Sequence, residues 1–233
     1  DDLRDEFTPP VLVGSAGDVQ SRSSVERRSA TLAPCCVALL RDAAERLVIS
    51  VDTLLVTVIS VAVARCERTK VQPVVLVAPQ RDEAGAGEVI GLLADFREFD
   101  VCTDGMSLAG VATRLQKTIR DREWHVPRVY AEHLAVWINL EWTILDGKHG
   151  FMQLGNHPNR NKWSIRHAVE VAVDEPYADV WRLHINTDSY RFSQSDGRTA
   201  LDDALMMTLR ELVSDPLAPV WPIDLPLVSV GDA

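Results

Sequence analysis

The sequence predicts an α/β fold in which a mixed β-sheet carries helices packed on one face. Short apolar runs bounded by prolines, such as 73–79, alternate with amphipathic segments of helical length, such as 106–124. Two strongly alternating segments, 164–175 and 178–190, follow each other closely and indicate an antiparallel pair. No internal repeat is evident along the chain, so one sheet is expected rather than a repeat array.

Composition limits the classes of partner that this chain can have. The 233 residues carry a formal net charge of −10, and 46% of them are hydrophobic. An acidic protein without a basic block binds nucleic acid or an anionic membrane poorly, so we expect neither partner. The longest apolar run, 54–64, is too short to cross a bilayer.

The four cysteines indicate a reducing compartment. Cys35, Cys36, Cys66 and Cys102 are irregularly spaced and include no C-x-x-C pair. We therefore expect reduced, mostly buried thiols, a cytoplasmic location and no metal site. The chain opens DDLRDEFTPP without an apolar leader, which is typical of a piece of a longer protein.

The N-terminal third contains an extended lead-in and two helical segments. Residues 1–24 include a stretch rich in Pro, Gly and Ser and form the lead-in. Residues 25–34 have partial strand character and end at Pro34, which suits the first position of an amphipathic helix over 35–48. Segment 50–68 is rich in β-branched residues, which favours a strand, but its length and the cap signal at Ser50 favour a buried helix.

The remaining elements follow from periodicity and from turn residues. Strands are predicted over 73–79, 92–101 and 135–143, then over the alternating pair, with a helix over 106–124. Residues 146–162 form a long polar loop or hairpin. A last helix spans 196–216, with Thr199 as its N-cap and Asp202 and Asp203 in its first turn. The predicted domain covers 25–220, and a Pro-rich tail covers 221–233.

Three glycines after the strand at 73–79 raise the question of a phosphate cradle. A dinucleotide cradle needs its first glycine at the strand end, whereas seven residues separate Val77 from Gly85. Fewer than ten residues then remain before the next strand, and a parallel crossover needs about a dozen or more. No G-K-[ST] triplet is present. Gly85, Gly87 and Gly91 therefore indicate a loop between two strands.

The stretch VVLVAPQRDEAGAGEVIGLLADFREFDV resembles condensation domains of nonribosomal peptide synthetases. Arg81-Asp82 matches the family's "GRDR"-type turn, and Ile90-Gly91-Leu92 matches its "IGxFVNT" segment. Upstream, 29–69 is similar to the family's strand and two helices. Downstream, the segment at 107–134 resembles the family's long helix and its "H-x-x-P" segment, through His125, Val126 and Pro127. The resemblance covers most of the chain, but only the C-terminal half of such a domain, and the helix at 106–124 is also similar to the heterocyclising branch.

That resemblance implies a chloramphenicol acetyltransferase-like lobe. In this family two lobes meet in a V, and substrates enter on phosphopantetheine arms that carrier proteins present. The resemblance thus implies no directly bound cofactor, and two kinds of partner: an N-terminal lobe and a peptidyl or acyl carrier protein. The family's HHxxxDG signature belongs to the other lobe and is absent from this sequence, which has no adjacent histidine pair. We therefore expect no catalytic residue in this chain.

Four residues are candidates for lining a substrate cleft. Asn139 and Glu141 fall on the polar side of the strand at 135–143, while Gly91 and Asp95 match positions near the lobe junction. The competing interpretation is a solvent-facing strand side for the first pair and ordinary strand-entry chemistry for the second.

Tryptophan and histidine are also unevenly distributed. Five of the six tryptophans lie between Trp124 and Trp181, which favours core and interface packing over an aromatic ligand platform. His149 and His157 flank a polar loop but have no third ligand at a fixed spacing, so we expect no metal there.

Two principal functions remain open. In the first, the chain is the C-terminal half of a condensation domain, a transferase part of a peptide-antibiotic synthetase, and forms one wall of the cleft for amide-bond formation. In the second, it is a non-catalytic condensation-like module that recruits a carrier protein or a tailoring enzyme. A tryptophan-lined small-molecule binder is a third and weaker alternative.

Overall fold

The fold contains seven strands and four helices in the described part of the chain. The computed structural model describes residues 12–14, 25–79, 94–123, 136–141, 169–177, 179–188 and 195–221. The strands are β1 (Leu12–Gly14), β2 (Val25–Leu32), β3 (Val71–Pro79), β4 (Ala94–Cys102), β5 (Val136–Glu141), β6 (Val169–Tyr177) and β7 (Val180–Asp188). The helices are α1 (Pro34–Leu47), α2 (Val51–Glu67), α3 (Leu108–Arg120) and α4 (Ser195–Ser214).

All seven strands belong to one mixed sheet. Their order is β1-β2-β7-β6-β5-β3-β4. The β3–β5 and β5–β6 pairs are parallel, and the other neighbours are antiparallel. The predicted α/β class with a mixed sheet is therefore confirmed, as is the antiparallel pairing of β6 with β7. The short strand β1 lies within the segment expected to be an extended lead-in.

The helices cover one face of the sheet. α1 contacts β7, α2 contacts β3, β4 and β5, and α3 contacts β4, while α1, α3 and α4 all contact α2. On β5 the side chains of Val136, Ile138 and Leu140 point to this face and are buried, whereas Trp137 and Asn139 alternate with them and are half-buried. The predicted packing of helices on one face is confirmed.

α2 is the central helix, and its structure settles the choice between strand and helix. It begins after Ser50, whose hydroxyl accepts a hydrogen bond from the Thr53 backbone N–H at 3.1 Å. Residues 53–65 are all buried. The hydroxyls inside this run donate to carbonyls one turn earlier, at 2.8 Å for Thr57 and 2.6 Å for Ser60. A helix satisfies the backbone groups of its interior internally, so that part tolerates burial on all sides, which an unpaired strand does not.

No single described helix has the length and apolar composition of a membrane span. α1 and α2 taken together have the required length and apolar composition, but they are bent by 103° at the break between them.

Pro34 occupies the start of α1, as its fixed φ predicts.

The N-terminus of α4 differs from the prediction. The helix begins at Ser195, so Thr199 lies inside it and is not its N-cap, and Asp202 and Asp203 lie beyond the first turn. Ser195 and Asp196 are also residue types that occur at helix starts, and the choice among several such residues is not decided by local sequence.

The residues after α4 return to the start of α3. We call Asp215–Trp221 the C-terminal strap. The backbone N–H groups of Leu108 and Ala109, at the start of α3, donate to strap carbonyls at 3.3 and 2.8 Å. Val220 is fully buried, and its N–H donates to the Met106 carbonyl at 2.8 Å. The strap thus satisfies helix N–H groups that have no partner within α3.

Candidate functional site

The face of the sheet opposite the helices is the candidate site, and we call it the open face. Its side chains come from alternate strand positions, and most of those described are half-buried, in contrast to the buried residues on the helix side. Val75 on β3, which aligns with Trp137, is an exception at 1% exposed. The described part of the chain places no helix against this face. The half-buried residues of this face on the four central strands include Val77, Trp137, Asn139, Glu170, Ala172, Arg182, His184 and Asn186.

One row of the open face crosses the sheet at the level of Asn139. The sheet register aligns Asn139 with Val77 on β3 and with Ala172 on β6, and aligns Ala172 with His184 on β7. Neighbouring strands lie about 4.8 Å apart, so the backbones of Asn139 and His184 are roughly 10 Å apart. The short Ala172 side chain lies between them in this row. The row therefore carries an amide and an imidazole on either side of a small residue.

The next row of the open face is bulkier and more polar. Trp137 aligns with Glu170, and Glu170 aligns with Asn186, whose amide Nδ2 donates to Glu170 Oε2 at 3.4 Å. At the β4 side the Phe96 and Trp137 rings contact each other, with centroids 5.4 Å apart and planes inclined by 52°. These side chains lie beside the row that contains Asn139.

The chemistry available on this face is hydrogen bonding. A primary amide both donates and accepts, which suits an amide-containing chain laid across the strands. The two ring nitrogens of an imidazole can likewise donate or accept a hydrogen bond. No group of three His, Cys, Asp or Glu side chains in the described ranges is arranged to hold a metal ion.

The four residues predicted to line a cleft have different outcomes in the structure. Asn139 lies at the centre of the open face. Glu141 ends β5 with its backbone aligned to Asp174, and Asp95 lies at the start of β4 opposite Ala78, but the side chains of both lie outside the described part. Gly91 lies outside the described residues altogether. These assignments remain predictions.

His184 was not singled out by the sequence analysis. It is the one histidine of six within the described part of the chain. The alternation of Arg182, His184 and Asn186 with buried Leu183 and Ile185 was a usable signal, because it places all three polar residues on the same side of β7.

The structure describes some of the tryptophans that the sequence singles out, but not the two loop histidines. Trp181 is 1% exposed in the core, as the packing interpretation predicts, and the Arg41 guanidinium lies 5.5 Å from its ring centroid. Trp124, Trp142 and Trp163, and the loop residues His149 and His157, lie outside the described residues.

Comparison with known proteins shows that the fold is that of a condensation-domain lobe. No protein-family model matches the sequence, and no curated protein matches it significantly. Solved structures do match. A condensation domain of the enacyloxin polyketide synthase that mediates chain release aligns with 92% of this chain at a TM-score of 0.65 and 16% identity. The first condensation domain of the calcium-dependent antibiotic synthetase, solved with a substrate analogue, aligns with 89% at a TM-score of 0.63 and 16% identity.

Related architectures give the same result. The epimerization domain from the third module of tyrocidine synthetase B aligns with 92% of this chain at a TM-score of 0.63 and 13% identity. These three alignments cover 46%, 49% and 54% of the other chains. The protein thus spans about half the length of the domains it matches, and at these identities the likeness establishes the fold alone. The predicted resemblance to a condensation-type lobe is confirmed at that level.

Proposed function

We propose that this chain is the C-terminal half of a condensation domain and forms one wall of the cleft in which an amide bond is made. One observation carries the proposal: the chain aligns over 92% of its own length with only 46% of a condensation-domain chain. A second lobe would supply the other wall and the HHxxxDG motif, which is absent from this sequence. The open face, which no helix of the described part covers, is a surface suited to line such a cleft.

The reaction proposed for the assembled domain is an aminolysis. The amine nitrogen of one carrier-bound substrate attacks the thioester carbonyl of the other. A C–N bond forms and the C–S bond breaks, and the proton lost by the amine ends on the departing thiol. The amine must be neutral to attack, so a nearby proton acceptor accelerates the step. The role proposed for this chain is positioning, with Asn139 hydrogen-bonding an amide of a bound pantetheine arm.

The proposal implies two partners and no directly bound cofactor. One is the N-terminal lobe, in the same or a separate chain, and the other is a carrier protein bearing phosphopantetheine. Among the structures similar to this chain is a four-domain nonribosomal peptide synthetase bound to AMP and glycine, of which the alignment covers 17%. A cytoplasmic location is part of the same proposal, consistent with the four cysteines expected to be reduced.

Reconstitution tests the proposal. The HHxxxDG-bearing segment encoded beside this chain is co-expressed with it, and amide formation is assayed with an aminoacyl and a peptidyl carrier thioester. We expect product only when both polypeptides are present, and none when the second histidine of the motif is replaced. The proposal fails if no such segment is encoded, or if the segment alone is as active as the pair.

Matched variants locate the cleft on this chain. Asn139→Ala is expected to lower turnover about tenfold or more. Losing one hydrogen bond to a positioned substrate costs about 1.4 kcal/mol, which corresponds to a factor of ten in rate. Thr113→Ala, an exposed position on α3, is the control. Equal activity of the two variants would remove the open face from the cleft. Far-UV circular dichroism and gel filtration with the partner lobe confirm that both variants fold and assemble.

The missing motif also favours a second candidate, a recruiting module without catalysis. Its distinguishing property is binding of a carrier protein by this chain alone. Pull-down with phosphopantetheinylated carrier, with and without the neighbouring lobe, separates the two. Binding that needs the lobe supports the condensation proposal, and equal binding without it supports recruitment.

A further inference from the structure

The strand at the end of the sheet has an unpaired edge in the described part of the chain. β4 is last in the strand order and pairs only with β3 among the described strands. Its other edge presents backbone N–H and C=O groups that can pair with another strand. Charged side chains are frequent on such edges because they discourage unspecific pairing, and β4 carries Arg97, Glu98 and Asp100.

A cleft lies between this edge and α3. Its volume is about 380 Å³, and it opens to solvent. Six of its lining residues come in equal numbers from β4 and α3: Glu98, Phe99, Asp100, Arg114, Lys117 and Thr118. The strand side of the cleft therefore carries a buried phenylalanine between two acidic residues, and the helix wall is basic. Glu123, just after α3, also borders the cleft.

The basic wall is not neutralised within the described part of the chain. Arg114 and Lys117 are one helical turn apart on α3, and neither makes a salt bridge with a described residue. Asp100 on the strand side makes no salt bridge with a described residue either. Two neighbouring cations without an acidic partner among the described residues stand out in a chain where 34 acidic residues outnumber 24 basic ones. Within the described ranges, the helix wall thus presents two cations to an acidic partner.

We propose that this cleft binds an extended peptide segment of another protein, which adds to β4 as a further strand. The sheet geometry fixes the charge pattern of that segment. Phe99 and Val101 point to the helix-covered face, and Glu98 and Asp100 point to the open face. Side chains of an added strand alternate in the same way. The side chains of the added strand on the helix-covered face would meet Arg114 and Lys117. Those on the open face would lie beside Glu98 and Asp100.

The partner segment therefore alternates acidic and basic residues, with the acidic ones directed at α3. Main-chain hydrogen bonds to β4 would supply affinity, and the alternating charges would set register and direction. This inference is independent of the condensation proposal, because it rests on the outer edge of β4 and on α3, and not on Asn139.

A designed peptide tests it on the full chain. The probe carries a Glu-Lys repeat flanked by threonines, and the control peptide has the same residues as a block of Glu followed by a block of Lys. We expect the repeat to bind by fluorescence anisotropy at low salt, more weakly as salt is added, and the block peptide to bind about tenfold less tightly or worse. Equal binding of the two peptides would overturn the proposal.

Protein variants and backbone modification complete the test. The R114E/K117E double variant should bind the repeat about tenfold or more weakly, whereas the charge-matched control R46E/R120E, at exposed positions outside the cleft, should not. Two further peptides carry N-methyl groups on the odd-numbered or on the even-numbered residues. Because only every second residue of an added strand donates its N–H to β4, one of the two peptides should lose binding and the other should keep it. Equal binding of the two methylated peptides, or an equal loss of affinity in the two double variants, would show that strand addition does not occur.

Discussion

The Nη2 atom of Arg65 on α2 lies 2.7 Å from Oε2 of Glu211 on α4, although none of the arginine side chain is exposed to solvent. The same guanidinium donates to Thr208 Oγ1 at 2.8 Å through Nη1 and to the Val220 carbonyl at 3.4 Å through Nη2. A buried cation is stable only when paired and hydrogen-bonded. Arg65 therefore ties two helices and the C-terminal strap together at one point.

Replacing Arg65 by alanine should destabilise the fold strongly. The change leaves the Thr208 hydroxyl and the Val220 carbonyl without this donor and opens a cavity, so we expect a loss of about 3 kcal/mol or more in the free energy of unfolding. Urea unfolding followed by circular dichroism measures it. Arg46→Ala removes an exposed pair with Asp42 and should cost less than about 0.5 kcal/mol. Similar costs for the two variants would contradict the assigned role of Arg65.

The C-terminal strap should be part of the folding unit. A chain that ends at Ser214 loses the buried Val220, the carbonyls that cap α3, and the Trp221 Nε1 hydrogen bond to Thr103 Oγ1 at 2.8 Å. We expect it to be destabilised by about 3 kcal/mol or more, with faster amide exchange at the start of α3. An unchanged melting temperature would show that the strap only rests on the surface. Thr103→Val removes the Trp221 bond together with the one that the Thr103 hydroxyl donates to the Lys70 carbonyl at 3.1 Å, and should cost about 2 kcal/mol.

Burial raises the pKa of the Cys36 thiol from an ordinary value of 9.0 to about 11, and the neighbouring Cys35 adds to the shift. The unfolded chain releases this proton near pH 9, while the folded chain holds it to about pH 11. The stabilising contribution is therefore full below pH 9 and is lost as the pH rises towards 11. Between pH ~8 and pH ~10.5 the protein should lose about 1–2 kcal/mol more stability than Cys36→Ala does. Parallel pH profiles for the two proteins would contradict the shift.

Trp181 should contribute to the core, while Arg41 contributes little beside it. The indole is 1% exposed, and Trp181→Ala should cost about 3–5 kcal/mol through lost burial and a cavity. Arg41 stacks on that ring and pairs with Glu175 at 3.3 Å and with Asp179, but its side chain is 45% exposed. Arg41→Ala should therefore cost less than about 1 kcal/mol. Thermal unfolding measures both, and an arginine effect as large as the tryptophan effect would reverse the assignment.

Local sequence patterns were sufficient to predict most elements of the fold. The alternation in β6 and β7 places apolar side chains such as Val171 and Leu183 on one face whatever their partner, and Ser50 marks the start of α2 through its own hydroxyl. The start of α4 was missed because several residues near it have the same cap preference. The polar side of β5 identified Asn139, but the same signal on β7 was not used for His184.

The sequence by itself determined the class of fold, the acidic net charge and the types of most elements, because these depend on composition and on residues a few positions apart; the choice between strand and helix for α2 needed the structure. Only the tertiary structure decided that Asn139 and His184 share one row of the sheet, that Arg65 is buried beside Glu211, and that β4 lies at the edge next to α3. Each of these relationships joins segments distant along the chain. Strand order and helix packing are set by the summed burial of the whole core, which no local pattern contains.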